Sequence, residues 1–193
     1  MIIGLTGGVA CGKSSAVAYV IKYGATVIDA DKISKEVSES KQIIDEICRQ
    51  FGKDVASAGK LERKKLAKIV FGDKEKLEKL NSIMHPPIIE KIKAEIEKNR
   101  EKKLVIVDIP LLYEVGFEKY MDKVIVVSAP FEIQLSRLLA RDNRDYETAV
   151  AMIKSQLPLS EKRKKADIVI ENGGTKEELG DKVYETLMVL SDK

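Results

Sequence analysis

Five short apolar runs along the chain predict the strands of one sheet. They cover residues 1–6, 26–30, 104–109, 123–128 and 167–171, and several are rich in Val and Ile. At 104–107 and 124–127, four apolar residues follow one another without the alternation of a strand that has one wet face. Such runs indicate strands buried on both faces, as in a parallel sheet with helices above and below it.

Long helical patterns separate the strands, and two of the connections exceed what one crossover helix needs. Between 31 and 103 the pattern is helical almost throughout, with breaks at 51–59, at Gly72 and at Pro86 with Pro87. These breaks predict about four helices. The second long connection, 141–165, carries Pro158 and many basic residues, which is typical of a mobile lid.

Together these elements predict a single α/β domain over residues 1–193, with a doubly wound, parallel, five-stranded sheet. The core comprises 1–30, 104–140 and 166–193, with a helical subdomain inserted at 31–103 and a helical lid at 141–165. The 193 residues, of which 44% are hydrophobic, suffice to bury a normal core.

Composition narrows the cellular setting of the protein. No stretch approaches a membrane span, and the chain opens on a strand pattern without a basic leader or a cleavage site. We therefore expect a cytoplasmic protein with no membrane partner. The two cysteines, Cys11 and Cys48, are too few for a disulfide framework and lack metal-ligand spacing. We expect a monomer or a small homo-oligomer.

A phosphate-binding pattern directly follows the first predicted strand. Its residues are Gly7, Gly8, Val9, Ala10, Cys11, Gly12, Lys13 and Ser14, a Walker A motif. Glycines let backbone N–H groups converge on one anion, and the helix that follows adds the partial positive charge of its N-terminus. Lys13 supplies a full charge, and Ser14 offers a hydroxyl to a magnesium ion that bridges two phosphates. The motif predicts a nucleoside triphosphate site in a fold of the P-loop NTPase type; the alternative is a Gly-rich turn that merely starts a helix.

Carboxylates follow two of the predicted strands, at the sheet edge where open parallel sheets bind ligands. The second strand ends in Asp29, Ala30 and Asp31, and one of these acids can accept a proton from an attacking hydroxyl. The alternative is that Asp31 caps a helix at 32–39. The third strand ends in Asp108, which resembles a Walker B carboxylate that holds magnesium or its water; the alternative is a solvent-facing acid.

Positive charge is concentrated late in the chain. The formal net charge is only +3, but residues 137–165 hold eight basic residues against four acids. They are Arg137, Arg141, Arg144, Lys154, Lys162, Arg163, Lys164 and Lys165 against Asp142, Asp145, Glu147 and Glu161. Such a cluster is a solvated helix face, a nucleic-acid patch or a lid over polyphosphate, and the triphosphate loop favours the lid. Arg137 and Arg141 share one helix face, from which they can neutralise charge on a transferring phosphoryl group.

Several groups of residues, spread over nearly the whole chain, carry a resemblance to a known family. They are Leu5, Thr6, Gly7 and Gly8 with Gly12, Lys13 and Ser14; Asp29, Ala30 and Asp31; Gly59, Lys60, Leu61, Arg63, Leu66 and Phe71; Leu80, Asn81, His85, Pro86 and Ile88; Pro110, Leu111, Leu112, Tyr113 and Glu114; and Arg137, Arg141, Gln156, Arg163, Ala166, Asp167 and Asn172. Together they resemble the dephospho-coenzyme A kinase family. The family commonly has Gly and Ser where this chain has Ala10 and Cys11. At a helix N-terminus, Cys11 is either redox-sensitive or a small residue that fills the loop.

This resemblance implies the transfer of the γ-phosphoryl group of ATP to the ribose 3′-hydroxyl of 3′-dephospho-coenzyme A, with Mg²⁺ as cofactor. It assigns catalysis to Lys13, Asp31, Arg137 and Arg141, and metal binding to Ser14 and Asp108. It assigns ATP binding to Gly7, Gly8, Val9, Ala10, Cys11, Gly12, Lys13, Ser14, Ser15, Arg141 and Asn172, and substrate binding to Asp29, Asp31, Arg63, His85, Pro110, Leu111 and Glu114. The choice of Asp31 over Asp29 as the base rests on the family pattern. For His85, the alternative is a turn or core histidine before two prolines.

Other functions stay open at this point. A different P-loop small-molecule kinase, such as a nucleoside monophosphate kinase, shares the loop and the lid. A nucleic-acid-binding protein uses a basic cluster, although we expect no nucleic-acid partner here. A non-catalytic nucleotide-binding module keeps the loop but does not need Asp31 and Asp108. A GTP-driven switch is disfavoured, because the sequence lacks an Asn-Lys-x-Asp segment that reads guanine.

Overall fold

The computed structural model describes residues 1–70, 72–142 and 145–192, with the backbone alone at residue 142. Phe71 of the family resemblance and Arg144 of the basic cluster lie outside the described residues. The strands are β1 (Ile2–Gly7), β2 (Thr26–Asp29), β3 (Ala56–Ser57), β4 (Lys60–Leu61), β5 (Val105–Asp108), β6 (Lys123–Ser128) and β7 (Ile168–Glu171). The helices are α1 (Lys13–Tyr23), α2 (Ala30–Ser38), α3 (Lys41–Phe51), α4 (Arg63–Val70), α5 (Lys74–Lys98), α6 (Phe131–Asp142), α7 (Tyr146–Lys154), α8 (Leu159–Lys165) and α9 (Lys176–Ser191).

The five apolar runs form a five-stranded sheet, which confirms the predicted α/β class. The strand order is β2-β5-β1-β6-β7, and β1 pairs in parallel with both β5 and β6. The strand ends differ from the predicted ends by one residue at most. Because the chain places β2 and β5 on one side of β1 and β6 on the other, the carboxyl end of β1 is a switch point, where open sheets bind ligands.

The chain forms two compact units, one of Met1–Ile28 together with the chain from Lys98 onward, and one of Asp29–Glu97. In the first unit, the sheet and helices α1 and α9 share one core. Its members include Ile3, Leu5, Ala16, Val20, Ile106, Ile125, Leu179, Val183 and Leu187. A capping box between Thr175 and Glu178 starts α9, because each side chain accepts a hydrogen bond from the other residue's backbone N–H.

The second unit contains α2, α3, α4 and most of α5, together with the β3–β4 hairpin. Its core is formed by Ile47, Val55, Leu66 and Val70, against which Leu80, Ile83 and Met84 of α5 pack. The subdomain at 31–103 and the lid at 141–165 stay predictions.

The predicted helix break at Pro86 and Pro87 is wrong, because both prolines lie inside the 25-residue helix α5. Each proline removes a backbone donor and crowds the carbonyl one turn earlier, which ordinarily ends a helix. Here Ile83 and Met84 pack on the core of the second unit just before the prolines, and Ile92 is 2% exposed just after them. Apolar contacts on both sides therefore outweigh the local cost of the prolines.

Candidate active site

The Walker A residues form a loop, 8–12, between the end of β1 and the start of α1. Gly12 has φ 87°, and a Cβ there would collide with the side-chain nitrogen of Asn172. A Cβ on Gly7 would lie 2.6 Å from the Val127 carbonyl oxygen of β6. Both positions therefore need glycine to give the loop its path. Ala10 has φ 57°, also in the left-handed region that favours glycine.

Lys13 and Asp108 come together at the carboxyl ends of β1 and β5. The Lys13 Nζ atom lies 2.5 Å from Asp108 Oδ1, and the two side chains are 15% and 14% exposed. The strand register explains this contact, because Leu5 of β1 is paired with Asp108. Asp108 is therefore not a solvent-facing acid; its carboxylate meets the Walker A lysine, as expected at a nucleotide site with a Walker B acid.

Arg137 and Asn172 contact the backbone of the phosphate loop. The Asn172 side-chain amide donates to the Cys11 carbonyl oxygen at 2.8 Å, and Arg137 donates to the Ala10 carbonyl oxygen at 3.4 Å. Arg137 also donates to the Asn172 carbonyl oxygen at 3.2 Å, which joins the two residues. Arg141 lies one turn further along α6, and its side chain is exposed. The hydrogen bonds of Arg137 and Asn172 therefore hold the backbone of the phosphate loop in place.

Sequence reasoning did not single out Lys162, which is buried beside the loop with 0% exposure. Its Nζ atom lies 2.8 Å from Glu114 Oε1 and also reaches the carbonyl oxygens of Gly7 and Pro110. In the sequence, Lys162 stands in a basic run that resembles a solvated face. Its spacing could have indicated burial. Lys162 follows Leu159 by three residues on α8, so the two share a helix face, and Leu159 packs against the core.

The segment after β5 contributes further contacts to this end of the sheet. The Pro110 carbonyl oxygen accepts a hydrogen bond from Thr6 Oγ1 at 2.9 Å, and Glu114 accepts one from the Leu157 N–H at 3.1 Å. Leu111 is 43% exposed. Of the three residues predicted here for substrate binding, Pro110 and Glu114 thus contact protein groups, whereas Leu111 presents an apolar side chain to solvent.

In the second unit, Asp29 is the residue that caps α2. Its Oδ1 atom accepts a hydrogen bond from the Lys32 N–H at 2.9 Å, and the helix begins at Ala30. The alternative that Asp31 caps a helix starting at Lys32 is therefore wrong, because α2 begins two residues earlier. Asp31 lies in the first turn with an exposed side chain.

Arg63 and His85 also belong to the second unit. Arg63 donates to Ser38 Oγ at 2.9 Å, which ties the start of α4 to the end of α2. His85 lies within α5 and is partly buried. It is therefore not a turn residue, because the helix continues through the two prolines that follow it.

Cys11 is fully buried in the loop. Burial raises the pKa of its thiol above the ordinary value of 9.0, although hydrogen bonds with Ala129 and Gly8 and the charges of Arg137 and Lys162 oppose this rise. A helix N-terminus favours a thiolate, but here desolvation is the larger effect. Cys11 therefore behaves as a small buried residue rather than as a reactive thiol.

Two properties of the described residues bear on the predicted membrane and metal chemistry. None of the described helices has the length and apolar character required to cross a bilayer. Within the same residues, no three His, Cys, Asp or Glu side chains cluster as a metal site would. A magnesium ion in a phosphoryl-transfer site needs no such cluster, because the phosphates of the nucleotide supply much of its coordination.

Comparison with known proteins identifies the family. The family model described as "CoaE: Dephospho-CoA kinase" matches residues 1–178. A dephospho-CoA kinase from Fusobacterium nucleatum is 48% identical over 184 residues, which cover 95% of each chain.

Two solved structures agree with this match. The crystal structure of TT1252 from Thermus thermophilus has a TM-score of 0.86 at 34% identity, covering 98% of this chain and 96% of that one. The dephospho-CoA kinase from Campylobacter jejuni has a TM-score of 0.70 at 30% identity, covering 100% and 98%. The chain therefore belongs to the dephospho-CoA kinase family, and it is a kinase of coenzyme A biosynthesis.

Proposed function

We propose that this protein transfers the γ-phosphoryl group of ATP to the ribose 3′-hydroxyl of 3′-dephospho-coenzyme A, with Asp31 as the general base, giving coenzyme A and ADP. The observation that carries the proposal is the contact of Lys13 with Asp108 at the switch point of the sheet, in a chain whose family is established. This contact combines the Walker A cation and a strand-end carboxylate at the sheet edge where phosphoryl-transfer enzymes place them.

ATP binds at the phosphate loop in this proposal. The residues that contact the phosphates are Gly7, Gly8, Val9, Ala10, Cys11, Gly12, Lys13, Ser14 and Ser15, and the N-terminus of α1 adds its partial positive charge. The Lys13 ammonium bonds to the β- and γ-phosphate oxygens. Arg141 and Asn172 also bind ATP in this proposal, and Asn172 holds the loop through its hydrogen bond to the Cys11 carbonyl oxygen.

Ser14 and Asp108 are the residues that would hold a Mg²⁺ ion, because hydroxyl and carboxylate oxygens are the ligands this ion prefers. When bound, the ion neutralises negative charge on the β- and γ-phosphates. The structure fits this group, since Asp108 is at the carboxyl end of β5 and meets the ammonium of Lys13, the residue directly before Ser14.

Asp31 takes the proton of the attacking 3′-hydroxyl. Asp29 uses one carboxylate oxygen to cap α2. Asp31 lies in the first turn of the helix and does not serve as the cap, so its carboxylate can accept the proton. This difference supports Asp31 as the base and gives Asp29 a role in placing it, beside its predicted contact with the substrate. Arg137 and Arg141 neutralise charge that develops on the transferring phosphoryl group.

Further residues bind the acceptor in this proposal. Arg63 and His85 can donate hydrogen bonds to the phosphate groups of the coenzyme A precursor. Pro110, Leu111 and Glu114 also contact this acceptor. Residues 141–165 act as the lid. We place the enzyme in the cytoplasm, where ATP is supplied, as a monomer or small homo-oligomer with small-molecule substrates and no nucleic-acid partner.

The experiment is a measurement of ADP release with magnesium-ATP and 3′-dephospho-coenzyme A, against AMP, CMP, shikimate and no acceptor. We expect turnover only with 3′-dephospho-coenzyme A, and coenzyme A as its product. Asp31→Asn should lower kcat about 10²- to 10⁴-fold, because it removes the base. Lys13→Ala should abolish turnover by removing the phosphate contact.

Asp29→Asn is the matched control, because asparagine caps a helix as well as aspartate does. We expect it to retain far more activity than Asp31→Asn. The reverse order would assign the base to Asp29. A folded, ATP-binding protein that releases no ADP with 3′-dephospho-coenzyme A would contradict the proposed acceptor.

A further inference from the structure

Lys162 is the one buried lysine among the described residues. Its exposure is 0%, whereas the side chains of its neighbours Arg163 and Lys164 are 48% and 72% exposed. Removing an ammonium group from water is costly unless protein groups replace the water. We therefore expect protein groups to surround the Lys162 ammonium and to replace its lost hydration.

Three acceptors meet the Lys162 ammonium. They are Glu114 Oε1 at 2.8 Å, the Pro110 carbonyl oxygen at 3.3 Å and the Gly7 carbonyl oxygen at 3.4 Å. An ammonium has three N–H donors, so these acceptors match its capacity. Glu114 balances the charge, and the two carbonyl groups come from different strand ends.

These two carbonyl groups flank the nucleotide site. Gly7 ends β1 and begins the phosphate loop, and Pro110 stands two residues after Asp108. Because a peptide group is planar, holding the Gly7 carbonyl oxygen also sets the direction of the Gly8 N–H. Lys162 thus joins the entry to the loop with the segment that follows the Walker B acid.

The chain just before Lys162 reinforces this connection. Gln156 Oε1 accepts a hydrogen bond from the Val9 N–H at 3.0 Å, and Glu114 accepts one from the Leu157 N–H. The segment 156–162 therefore holds the phosphate loop at both Gly7 and Val9. The same segment lies in the region 141–165 that we assign to the lid.

We propose that Lys162 is a positioning residue for phosphoryl transfer, which fixes the entry of the phosphate loop against the segment after Asp108 through the Gly7 and Pro110 carbonyl groups. This inference rests on the proposed function, because it names how the same site is kept in its reactive shape. Lys162 itself touches protein groups, so it acts through the loop and not on the substrate.

The test replaces Lys162 by Met, which keeps an unbranched, buried side chain but removes the charge and the donors. We expect kcat to fall about 100-fold, because a small misplacement of the loop is enough for such a loss. The KM for 3′-dephospho-coenzyme A should change less than twofold, since other residues bind the acceptor. Lys162→Arg, which restores a cation with several donors, should recover part of kcat.

Lys22→Met is the control, because Lys22 is an exposed lysine at the C-terminal end of α1, where its ammonium lies over the Tyr19 ring. We expect this variant to have the kcat of the wild type. Thermal melting must show that each variant is folded at the assay temperature.

A folded Lys162→Met variant with a kcat within twofold of the wild type would overturn the inference. So would an equal loss in Lys22→Met. If Lys162→Met does not fold, Lys162→Gln replaces it with the same expected loss and the same overturning result. The affinity for magnesium-ATP can be measured without any acceptor, and we expect Lys162→Met to weaken this affinity. This measurement separates a failure of the Lys162 inference from a wrong choice of acceptor.

Discussion

Ala10 adopts a backbone conformation that ordinarily belongs to glycine. Its φ is 57°, and the related family pattern commonly has glycine at this place in the phosphate loop. A residue with a Cβ is strained in this region by roughly 1–2 kcal/mol. The loop keeps its shape nevertheless, because Arg137 donates to the Ala10 carbonyl oxygen and Asn172 to the next one.

Relief of this strain should make the protein more stable. We expect Ala10→Gly to raise the free energy of unfolding by about 1 kcal/mol, since the relief exceeds the extra entropy that glycine gives the unfolded chain. Urea unfolding at 25 °C measures the change. Ala58→Gly is the matched comparison, because Ala58 has φ 48° in the β3–β4 turn, far along the chain from the loop. An Ala10→Gly variant less stable than the wild type, beside a stabilised Ala58→Gly, would show that the Ala10 methyl group makes favourable contacts.

Single site residues differ in how well a sequence reveals them. Lys13 and Asp108 could be predicted, because a motif marks one and the end of a hydrophobic strand marks the other. Lys162 could not be distinguished from its basic neighbours, since burial depends on how α8 packs onto the sheet. For Asp31 the sequence allows two interpretations, a base or a helix cap. The start of α2 excludes only the cap, because a shift of two residues decides which carboxylate caps the helix.

Among the elements, α5 departs most from what its sequence predicts. Two consecutive prolines inside a helix remove the donors that would bond to the carbonyl oxygens of Ser82 and Ile83. The strands could be predicted within one residue, because each is a continuous apolar run between polar turns. The continuation of α5 through the prolines could not be predicted, because it depends on contacts of Ile83 and Met84 with residues distant in the sequence.

Replacing the exposed Pro86 by alanine should stabilise α5. The variant regains a backbone donor and a good helix former, while the loss of proline's rigidity in the unfolded chain offsets part of the gain. We expect a net gain of about 1–2 kcal/mol in the free energy of unfolding, measured by urea titration. Pro158→Ala is the comparison, because Pro158 precedes α8, where no helix donor is lost, and it should give no gain. A loss of stability in Pro86→Ala would mean that the proline ring itself packs favourably.

For the whole molecule, the class of fold was predictable and the arrangement was not. Local patterns indicated strands and helices, but the order β2-β5-β1-β6-β7 depends on contacts between residues far apart in the chain. The functional consequence is large, because this order makes the end of β1 the switch point and brings Asp108 beside Lys13. Motif and topology together therefore define the nucleotide site.

Two buried groups give the molecule an alkaline limit to its stability. Burial, with the nearby charges of Asp167 and Glu118, raises the pKa of the Tyr113 phenol from 10.0 to about 12, and burial also raises the pKa of Cys11. The unfolded chain releases these protons at lower pH than the folded one. The stability that these two groups contribute is therefore complete below about pH 8 and falls as the pH rises toward 12.

Tyr113→Phe isolates the effect of the phenol. The Tyr113 hydroxyl has no hydrogen-bond partner among the described residues, so its removal leaves no other group unpaired. Between pH 8 and pH 11, the wild type should lose about 1.4 kcal/mol more unfolding free energy than Tyr113→Phe, because only the wild type has this phenol to ionise. Urea titrations at both pH values measure the difference, and Tyr146→Phe, at an exposed ring, should follow the wild type. Equal losses in the wild type and Tyr113→Phe would show that the phenol does not limit stability, and that other groups cause the alkaline unfolding.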